Sequence, residues 1–546
     1  MATAQIPPLT ERAGVDEVAL HAKVSEVLDR WPAAGLAVAV VRDGRLVWFH
    51  RHGVANAATG QPVTEHTVFR IGSLTKTVTA VAIMQLWERG LVDLDAPAND
   101  YLTTFRLTPV RPDLQPATVR HLLTHTSGVG YWRRLSDLLR PALGSGVQAT
   151  RLMPLGEYYR RGLPQEIQPG TKCVYSNHGF AALGQIVEDV TGQGLADYLR
   201  EHVFDPLGMD HTDLVRSDRV RPDLATGYVV RPRGLVPVND LEVPTPGGGG
   251  LYSSAADMAR YVASLLQEGV ASRGSLLKPS TVAMMFQPHF QPDPRVPGMG
   301  LGFNLSAEGG HRTVGKDGVL AGFLADMIMA TREGIGVVVL TNTGGLSARG
   351  AAVPLGTALL RHLLDLPDQA PRTDLAPRAE VWADLCGWYA LAPGPVTNLF
   401  TRALTGAGIE VVVRRNQLML KPLTPIPAMR KGMRLYPDDP EDPNVFRVDM
   451  SEVGMGTMPV VFTGEPNTRS SSRKLLLDVM SFDKRPDAQN PRRLAIGALT
   501  AGAAALAIRG GFHPLSSAHA PSWTAWGGAQ SIDLQPNGGG PRWPKY

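Results

Sequence analysis

Ser73 and Lys76 are the two residues of this sequence whose types and spacing best suit nucleophilic chemistry. They lie at the start of a stretch in which Lys76 is the only charged side chain between Arg70 and Glu88. A helix that begins near Ser73 places both residues on one face, about one turn apart. Because this stretch is apolar or hydroxylated on every side, we expect the helix to be buried all round. Burial disfavours the ammonium form and lowers the pKa of a lysine, so a partly neutral amine could accept the serine proton.

A second interpretation of these two residues is purely structural. Ser73 could cap the helix, and Lys76 could extend its amine to solvent. The Ser-x-x-Lys spacing does not decide between the two, because it occurs three more times in polar or loop-like surroundings. The other three pairs are Ser275 with Lys278, Ser471 with Lys474, and Ser481 with Lys484.

Two further motifs distinguish the first match from the others. Tyr175 and Asn177 form the only Tyr-x-Asn of the chain, and Lys316 and Gly318 belong to a Lys-Asp-Gly triplet on a strand-like segment. With these motifs in this order, the sequence resembles the penicillin-recognising serine hydrolases. That family includes class C β-lactamases, DD-peptidases, D-aminopeptidases and β-lactamase-fold esterases, and related enzymes carry Ser-x-x-Lys, Ser-Asp-Asn and Lys-Thr-Gly. The Tyr-x-Asn motif is similar to that of the class C branch.

Three longer blocks add to the resemblance, which covers roughly residues 15–365. Residues 121–128 read His-Leu-Leu-Thr-His-Thr-Ser-Gly, similar to a signature of the family. Residues 169–179 and 248–254 are similar to two others.

Chemistry and the resemblance imply the same roles for the first two motifs. Ser73 would attack a carbonyl and form an acyl-enzyme. Lys76 and Tyr175 would share the work of the general base, since a nearby ammonium helps a phenol to ionise. Asn177 would orient Lys76 or bind a substrate amide.

The third motif would complete the site with an oxyanion hole. The backbone N–H groups of Ser73 and of Val319, which follows Gly318, would bind the developing negative charge. Lys316 favours a substrate that carries a carboxylate, whereas Asp317 partly offsets the charge of Lys316. Many members of the family carry other residues between this lysine and this glycine, so the substrate class stays open.

The elements that must position these residues predict an α+β fold. Helix-like segments occupy the middle of the first part, and strand-like segments occur at both of its ends, at 35–49 and 301–342. This arrangement predicts an antiparallel sheet built from N- and C-terminal pieces, with helices on both sides.

The rest of the chain predicts a second, smaller domain. Residues 371–377 form a linker by composition, and short alternating strands follow it, which predicts a small β-barrel or sandwich. This part more weakly resembles the lipocalin-like domain that often follows such hydrolases. We therefore expect a β-lactamase-like hydrolase domain at 1–370, a lipocalin-like β domain at 371–490, and a helix with a disordered tail at 491–546.

Composition excludes several other classes of protein. The 546 residues carry a net charge of +4, spread over the chain, which indicates no nucleic-acid partner. The two cysteines, Cys173 and Cys386, fall in different predicted domains, so no disulfide framework is expected. His121 and His125 lie four residues apart, but no glutamate follows the first, so the pair is not a zinc-protease motif. We expect neither a metal nor a cofactor.

The two ends of the chain give indications of the cellular compartment of the protein. The first residues show no basic start followed by an apolar segment, so we expect no secretory signal and a cytoplasmic protein. Residues 494–508 are uncharged, but they are fewer than the roughly 20 that a membrane-spanning helix needs. A packed or surface helix is favoured there, and a weak membrane anchor stays open.

The sequence thus predicts a serine hydrolase that acts on a small ester, amide or peptide. A carboxylesterase or amide/peptide hydrolase is favoured. A β-lactamase, a D-amino-acid-specific peptidase and a non-catalytic protein of the same fold are the alternatives. We expect the glycines at 247–250 and the aromatic residues at 129–160 to shape the acyl pocket. The sequence leaves the oligomeric state open.

Overall fold

The computed structural model describes residues 15–130, 153–232, 234–271, 274–344, 350–391, 405–424, 430–454, 456–464 and 473–494. Residues 1–486 form one unit, which contains a large sheet with helices and a β-barrel, and residues 487–546 form another. The fold class predicted from the sequence is confirmed.

The large sheet unites both ends of the first part of the chain. The strands of this part are β1 (Gly35–Arg42), β2 (Arg45–Asn56), β3 (Gln61–Pro62), β4 (Val68–Arg70), β5 (Leu107–Pro109), β6 (Leu163–Gln165), β7 (Gly227–Arg231), β8 (Gly234–Val238), β9 (Tyr252–Ser254), β10 (Val270–Ala271), β11 (Gly274–Ser275), β12 (Gly298–Met299), β13 (Asn304–Glu308), β14 (His311–Leu320), β15 (Phe323–Ala330) and β16 (Ile335–Thr341). Eight of them form one antiparallel sheet in the order β12-β13-β14-β15-β16-β1-β2-β3. The pairing of β1 with β16 places Val38 opposite Val339.

Local sequence explains the hairpin at the centre of this sheet. β1 is buried from Gly35 to Val41 because it is covered on both faces. Asp43 and Gly44 both adopt positive φ angles, of 49° and 73°, as a two-residue Asp-Gly hairpin turn requires. The strand-like segment predicted from residue 301 becomes a strand only at Asn304, where β13 begins, and Gly302 before it bends at a φ of 85°.

Helices cover both faces of the sheet. They are α1 (Glu17–Arg30), α2 (Thr75–Glu88), α3 (Val119–Leu123), α4 (Leu155–Tyr158), α5 (Asn177–Thr191), α6 (Leu195–Leu199), α7 (Asp205–Leu207), α8 (Pro246–Gly249), α9 (Ala255–Leu266), α10 (Pro279–Met285) and α11 (Ala352–Leu363). Side chains alternate along β1, so Val38 joins the core under α1 and α11, whereas Ala37 joins the larger core around α2, α5 and α9.

Helix α2 is buried along nearly its whole length, as predicted. Every residue from Thr75 to Leu86 is buried. Its hydroxyl groups tolerate this environment because they are hydrogen-bonded. Thr77 donates to the carbonyl of Leu74 at 2.8 Å, and Thr79 donates to the carbonyl of Gly247 at 2.8 Å.

The second β region is a closed eight-stranded barrel, one of the two architectures that the sequence left open. After α12 (Trp382–Leu385) its strands are β17 (Gly387–Leu391), β18 (Ile409–Arg414), β19 (Gln417–Pro422), β20 (Met433–Pro437), β21 (Val445–Asp449), β22 (Thr457–Thr463), β23 (Lys474–Leu477) and β24 (Met480–Arg485). Antiparallel pairing of β17 with β24 closes the barrel. Apolar side chains such as Tyr389, Leu420 and Phe446 fill it as one packed core.

The predictions for the C-terminal tail concern residues that lie almost wholly outside the described part. Of the segment 494–508, only Leu494 is described, and so its helix and the disorder predicted after it stay predictions. Among the described residues, no helix combines the length and the apolar character that crossing a bilayer needs.

Candidate active site

Ser73 lies in a short 3-10 turn, Gly72–Leu74, that leads directly into α2. Its hydroxyl group is partly exposed and has two polar neighbours from the predicted motifs. Oγ lies 2.5 Å from Tyr175 Oη and 3.0 Å from Lys76 Nζ. Residues separated by about a hundred positions in the sequence therefore meet at one hydroxyl group.

Lys76 is fully buried, which excludes the interpretation in which its amine extends to solvent. Besides Ser73, Nζ donates to Asn177 Oδ1 at 2.6 Å and to the carbonyl of Gly248 at 2.5 Å. Burial, reinforced by the nearby charge of Lys316, holds the pKa of Lys76 well below its ordinary value of 10.5, and Asp317 opposes this shift only in part. The amine is thus dry and hydrogen-bonded to neutral groups.

Tyr175 lies with its ring between two lysine amines. Its ring centroid is 4.7 Å from Lys76 Nζ and 5.0 Å from Lys316 Nζ. The ring also packs against that of His125, with centroids 4.5 Å apart. The ring therefore has three close neighbours, and its hydroxyl group is directed at Ser73.

Asn177 is the first residue of α5, and the start of this helix is tightly held. Ser176 caps it, because its hydroxyl accepts from the N–H of Gly179 at 2.9 Å and donates to the carbonyl of Gly130 at 2.8 Å. Of the two predicted roles of Asn177, the geometry matches the first, since its side-chain oxygen already accepts from Lys76.

The third motif lies on β14, which passes beside the serine turn. Lys316 is buried, with Nζ 3.5 Å from Asn304 Oδ1 and 3.6 Å from Asp317 Oδ1. A Cβ at Gly318 would lie 2.1 Å from the carbonyl oxygen of Ile71, so only glycine permits this approach. A Cβ at Gly72 would lie 2.9 Å from the backbone nitrogen of Val319. The predicted oxyanion donor of Val319 is therefore next to the turn that carries the serine.

Comparison with known proteins agrees with this geometry. Residues 21–362 match the model of the Beta-lactamase family. The chain belongs to the β-lactamase family. Esterase EstB of Burkholderia gladioli is 31% identical over 328 residues, which are 54% of this chain and 81% of that esterase. Penicillin-binding protein 4 of Amycolatopsis lactamdurans is 30% identical over 60% of this chain and 84% of its own length.

A solved structure extends the likeness beyond the family match. The octameric penicillin-binding protein homologue from Pyrococcus abyssi is 24% identical, with a TM-score of 0.55. The aligned region covers 86% of this chain and all of that one, which shows a common fold. This β-lactamase-family protein is thus a serine hydrolase by family.

His125 is a site residue of this β-lactamase-family protein whose contacts the sequence did not predict. It is buried at a positive φ of 56°, and its Nδ1 accepts from the N–H of Ser176 at 3.2 Å. Burial, with smaller effects from Lys316 and Lys76, holds the pKa of His125 well below 6.5. A neutral ring therefore supports Tyr175. The Thr-His-Thr-Ser-Gly block was the available signal, but it does not reveal which ring the histidine contacts.

The glycine turn has a structural role that the sequence did not predict. Its carbonyls at Gly247 and Gly248 accept from Thr79 and Lys76, so the turn holds α2, and its part in an acyl pocket stays a prediction. In the predicted aromatic segment, Tyr159 is buried and its hydroxyl lies 2.6 Å from Nδ1 of His178, which makes it part of the core. Residues 131–152 of that segment lie outside the described part.

The metal and disulfide expectations can be compared with the described residues. In those ranges, no group of three or more His, Cys, Asp or Glu side chains is placed to hold a metal ion. His121 instead takes part in the capping box of α3 with Thr118. Cys173 and Cys386 are both free thiols.

Proposed function

We propose that this protein hydrolyses small carboxylic esters, or amides and peptides, through an acyl-enzyme formed on Ser73. The observation that carries the proposal is the position of the Ser73 hydroxyl, 3.0 Å from a dry lysine amine and 2.5 Å from a tyrosine hydroxyl. A nucleophile within hydrogen-bond reach of a base that other groups orient is the arrangement that covalent catalysis needs.

Lys76 suits the role of general base because it can gain a proton without moving. A neutral amine has two N–H donors and one lone pair. Two acceptors, Asn177 Oδ1 and the Gly248 carbonyl, match the two donors, which leaves the lone pair for the hydroxyl of Ser73. After the proton transfer, the same three neighbours accept from three N–H groups. Burial that favours the neutral amine supports this starting state.

Tyr175 supplies a second route for the proton. The ammonium of Lys316, 5.0 Å from the ring centroid, favours a negative charge on the phenol. In the acylation step, Ser73 Oγ forms a bond to the substrate carbonyl carbon and its proton passes to Lys76 or Tyr175. The bond to the leaving alcohol or amine then breaks, and that group takes the same proton as it departs.

The backbone N–H groups of Ser73 and Val319 would bind the carbonyl oxygen while it carries negative charge. Such donors act strongly because they are already oriented before the reaction. Water then attacks the ester on Ser73 and gives a proton to the same base, which passes it to Ser73 Oγ as the bond to the acyl group breaks, so the acid and the free serine are released. Atoms and charge balance over the two steps.

An ester substrate is favoured over a β-lactam. The likeness to an esterase at 31% identity supports this order, because a β-lactamase aligned over the same share of its own length is 26% identical. The alternative is a β-lactamase or a D-amino-acid-specific peptidase. It is supported by Lys316, whose amine near Tyr175 could bind a substrate carboxylate, whereas the carboxylate of Asp317, 3.6 Å from that amine, weakens this attraction.

A covalent probe tests the mechanism and a substrate panel tests the substrate class. We expect a fluorophosphonate to label the protein once, on the peptide that contains Ser73, as read by mass spectrometry. p-Nitrophenyl esters, D-amino-acid amides and a chromogenic cephalosporin would then be compared. Ser73→Ala should abolish labelling and turnover, whereas Ser275→Ala, in a second Ser-x-x-Lys match, should change neither. Labelling that survives Ser73→Ala would contradict the proposal.

A further inference from the structure

The last hairpin of the barrel, β23 with β24, contacts the loop that carries Tyr175. Lys172 lies in this loop, and its Nζ donates to Asp483 Oδ2 on β24 at 3.1 Å. The two side chains are only 20% and 17% exposed. Because the pair is largely removed from water, losing Asp483 leaves the ammonium of Lys172 poorly solvated, whereas Asp483 has a second cation, Arg485 of the same strand, at 3.6 Å.

Backbone hydrogen bonds anchor the loop on either side of Lys172. On one side of Lys172, the N–H of Gly170 donates to the carbonyl of Thr126 at 2.9 Å. On the other side, the N–H of Val174 donates to the carbonyl of His125 at 2.7 Å. The ion pair with the barrel therefore holds the part of the loop between these two hydrogen bonds. It does so at Lys172, three residues before Tyr175.

The same hairpin also interacts electrostatically with the third motif of the site, which contains Lys316. Asp478, in the turn between β23 and β24, is half-buried at a positive φ of 53°. Burial raises its pKa to about 6, Asp317 adds to this shift, and Lys316 opposes it. Burial, with a smaller effect from the charge of Asp478, raises the pKa of the neighbouring Cys173 thiol. The hairpin thus contacts the loop with Tyr175 and interacts electrostatically with Lys316 and Asp317.

A second ion pair between the barrel and the rest of the unit provides a comparison. Arg295 pairs with Asp442, which lies in the turn between β20 and β21. Arg295 belongs to the segment between α10 and β12, which carries none of the proposed catalytic groups. Beside it, Val296 packs against Val461 and Leu476 of the barrel. This contact joins the same two regions, but Arg295 and Asp442 lie outside the segments that carry the proposed catalytic groups.

We propose that the barrel positions Tyr175, which shares the work of the general base with Lys76, and that Lys172 and Asp483 are positioning residues for Tyr175. The proposal rests on the proposed function, in which Tyr175 exchanges a proton with Ser73. The phenol acts over a 2.5 Å contact. A misplacement of a reacting group by about 1 Å can cost about 100-fold in rate.

The test compares Asp483→Asn with Asp442→Asn in the full-length protein. For Asp483→Asn we expect kcat to fall about tenfold on the best ester of the panel, while KM changes less than about twofold. Asp442→Asn should leave kcat unchanged, although it removes an ion pair to the same barrel. Lys172→Met should resemble Asp483→Asn, and the double variant should be no slower than either single one, because both remove the same contact.

Hydrogen exchange supplies a readout that does not depend on turnover. Exchange of the peptide that spans 168–176 should accelerate in Asp483→Asn and not in Asp442→Asn. Unchanged kcat, unchanged exchange, or additive effects in the double variant would each overturn the positioning role. An unreactive Ser73 in the wild-type protein would instead refute the hydrolase proposal. The two failures are therefore distinguishable.

Discussion

The pairs Ser73/Lys76 and Ser275/Lys278 share one spacing and differ in everything else. Lys76 is fully buried in α2, and its amine reaches Ser73. Lys278 is exposed just before α10, and Ser275 donates its hydroxyl proton to the carbonyl of Leu277 at 2.6 Å. In the first pair, therefore, the serine hydroxyl lies beside a buried amine. In the second pair, the serine hydroxyl donates its hydrogen bond to a backbone carbonyl.

A third match shows that secondary structure also decides the outcome. Ser481 and Lys484 lie on β24, where side chains three positions apart point to opposite faces. Ser471 of the fourth match lies outside the described residues. The comparison teaches that the Ser-x-x-Lys spacing suits catalysis only when it begins a helix that excludes water. The following predictions test this difference between the pairs.

Removing the nucleophile should give the largest effect. We expect Ser73→Ala to lower kcat/KM by at least about 10⁴-fold, because no acyl-enzyme can form. The measurement is hydrolysis of a p-nitrophenyl ester under initial-rate conditions. Ser275→Ala is the matched control and should keep full activity. Equal losses in the two variants would remove the distinction between the pairs.

Removing the amine should come next. Lys76→Met keeps the length and burial of the side chain but deletes the base, so we expect a loss of about 10³-fold in kcat. Lys278→Met, the control at the exposed match, should be neutral. Circular dichroism at increasing temperature would establish that both variants are folded. A Lys76→Met protein with normal turnover would assign the proton transfer to Tyr175 alone.

A change beside the serine turn should have a smaller effect. Gly318→Ala places a methyl group 2.1 Å from the carbonyl oxygen of Ile71, so β14 must move away from Ser73. We expect kcat to fall about 100-fold as the oxyanion donors separate. Gly249→Ala is the control, since its Cβ would lie 3.9 Å from Gly72, an ordinary contact. The comparison fails if both variants retain wild-type kcat.

The dependence of activity and stability on pH should give the smallest effect, but the one most specific to Lys76. In the proposed mechanism neutral Lys76 is the base, so kcat/KM should rise about tenfold per pH unit below the pKa of Lys76 and level off well before 10.5. Between that pKa and 10.5 the unfolded chain binds the additional proton, so stability should also rise with pH. Urea unfolding at pH 6 and pH 8 would measure this change. Lys76→Met should remove the Lys76 contribution to the slope, and Lys278→Met should not.

Much of the fold could be predicted because its signals are local. The Asp43–Gly44 turn follows from residues that tolerate positive φ, and the burial of α2 follows from a long uncharged stretch. Strands β20, β23 and β24 were not predicted, because short strands with mixed burial patterns carry weak signals. Closure of the barrel depends on β17 pairing with β24, across about a hundred residues, which no local pattern encodes.

The residues of the proposed site likewise fall into those that the sequence identified and those that it did not. The sequence identified Ser73, Lys76, Tyr175, Asn177 and the Lys316 motif, because each belongs to a short pattern with a chemical purpose. It did not identify the Gly248 carbonyl, since any residue can offer a carbonyl and only its direction makes it a partner of Lys76. The sequence also could not predict the ion pair of Lys172 with Asp483, because it joins two separate regions of the unit.

By itself, the sequence determined the kinds of chemical group, their order and the dryness of the helix that carries them. Periodicity and composition are sufficient for this, because they set which faces avoid water. Only the tertiary structure decided how close the serine and the amine lie, which groups accept hydrogen bonds from that amine, and what supports the tyrosine. These outcomes depend on distances of about 3 Å between groups that are far apart in the chain, and packing alone sets such distances.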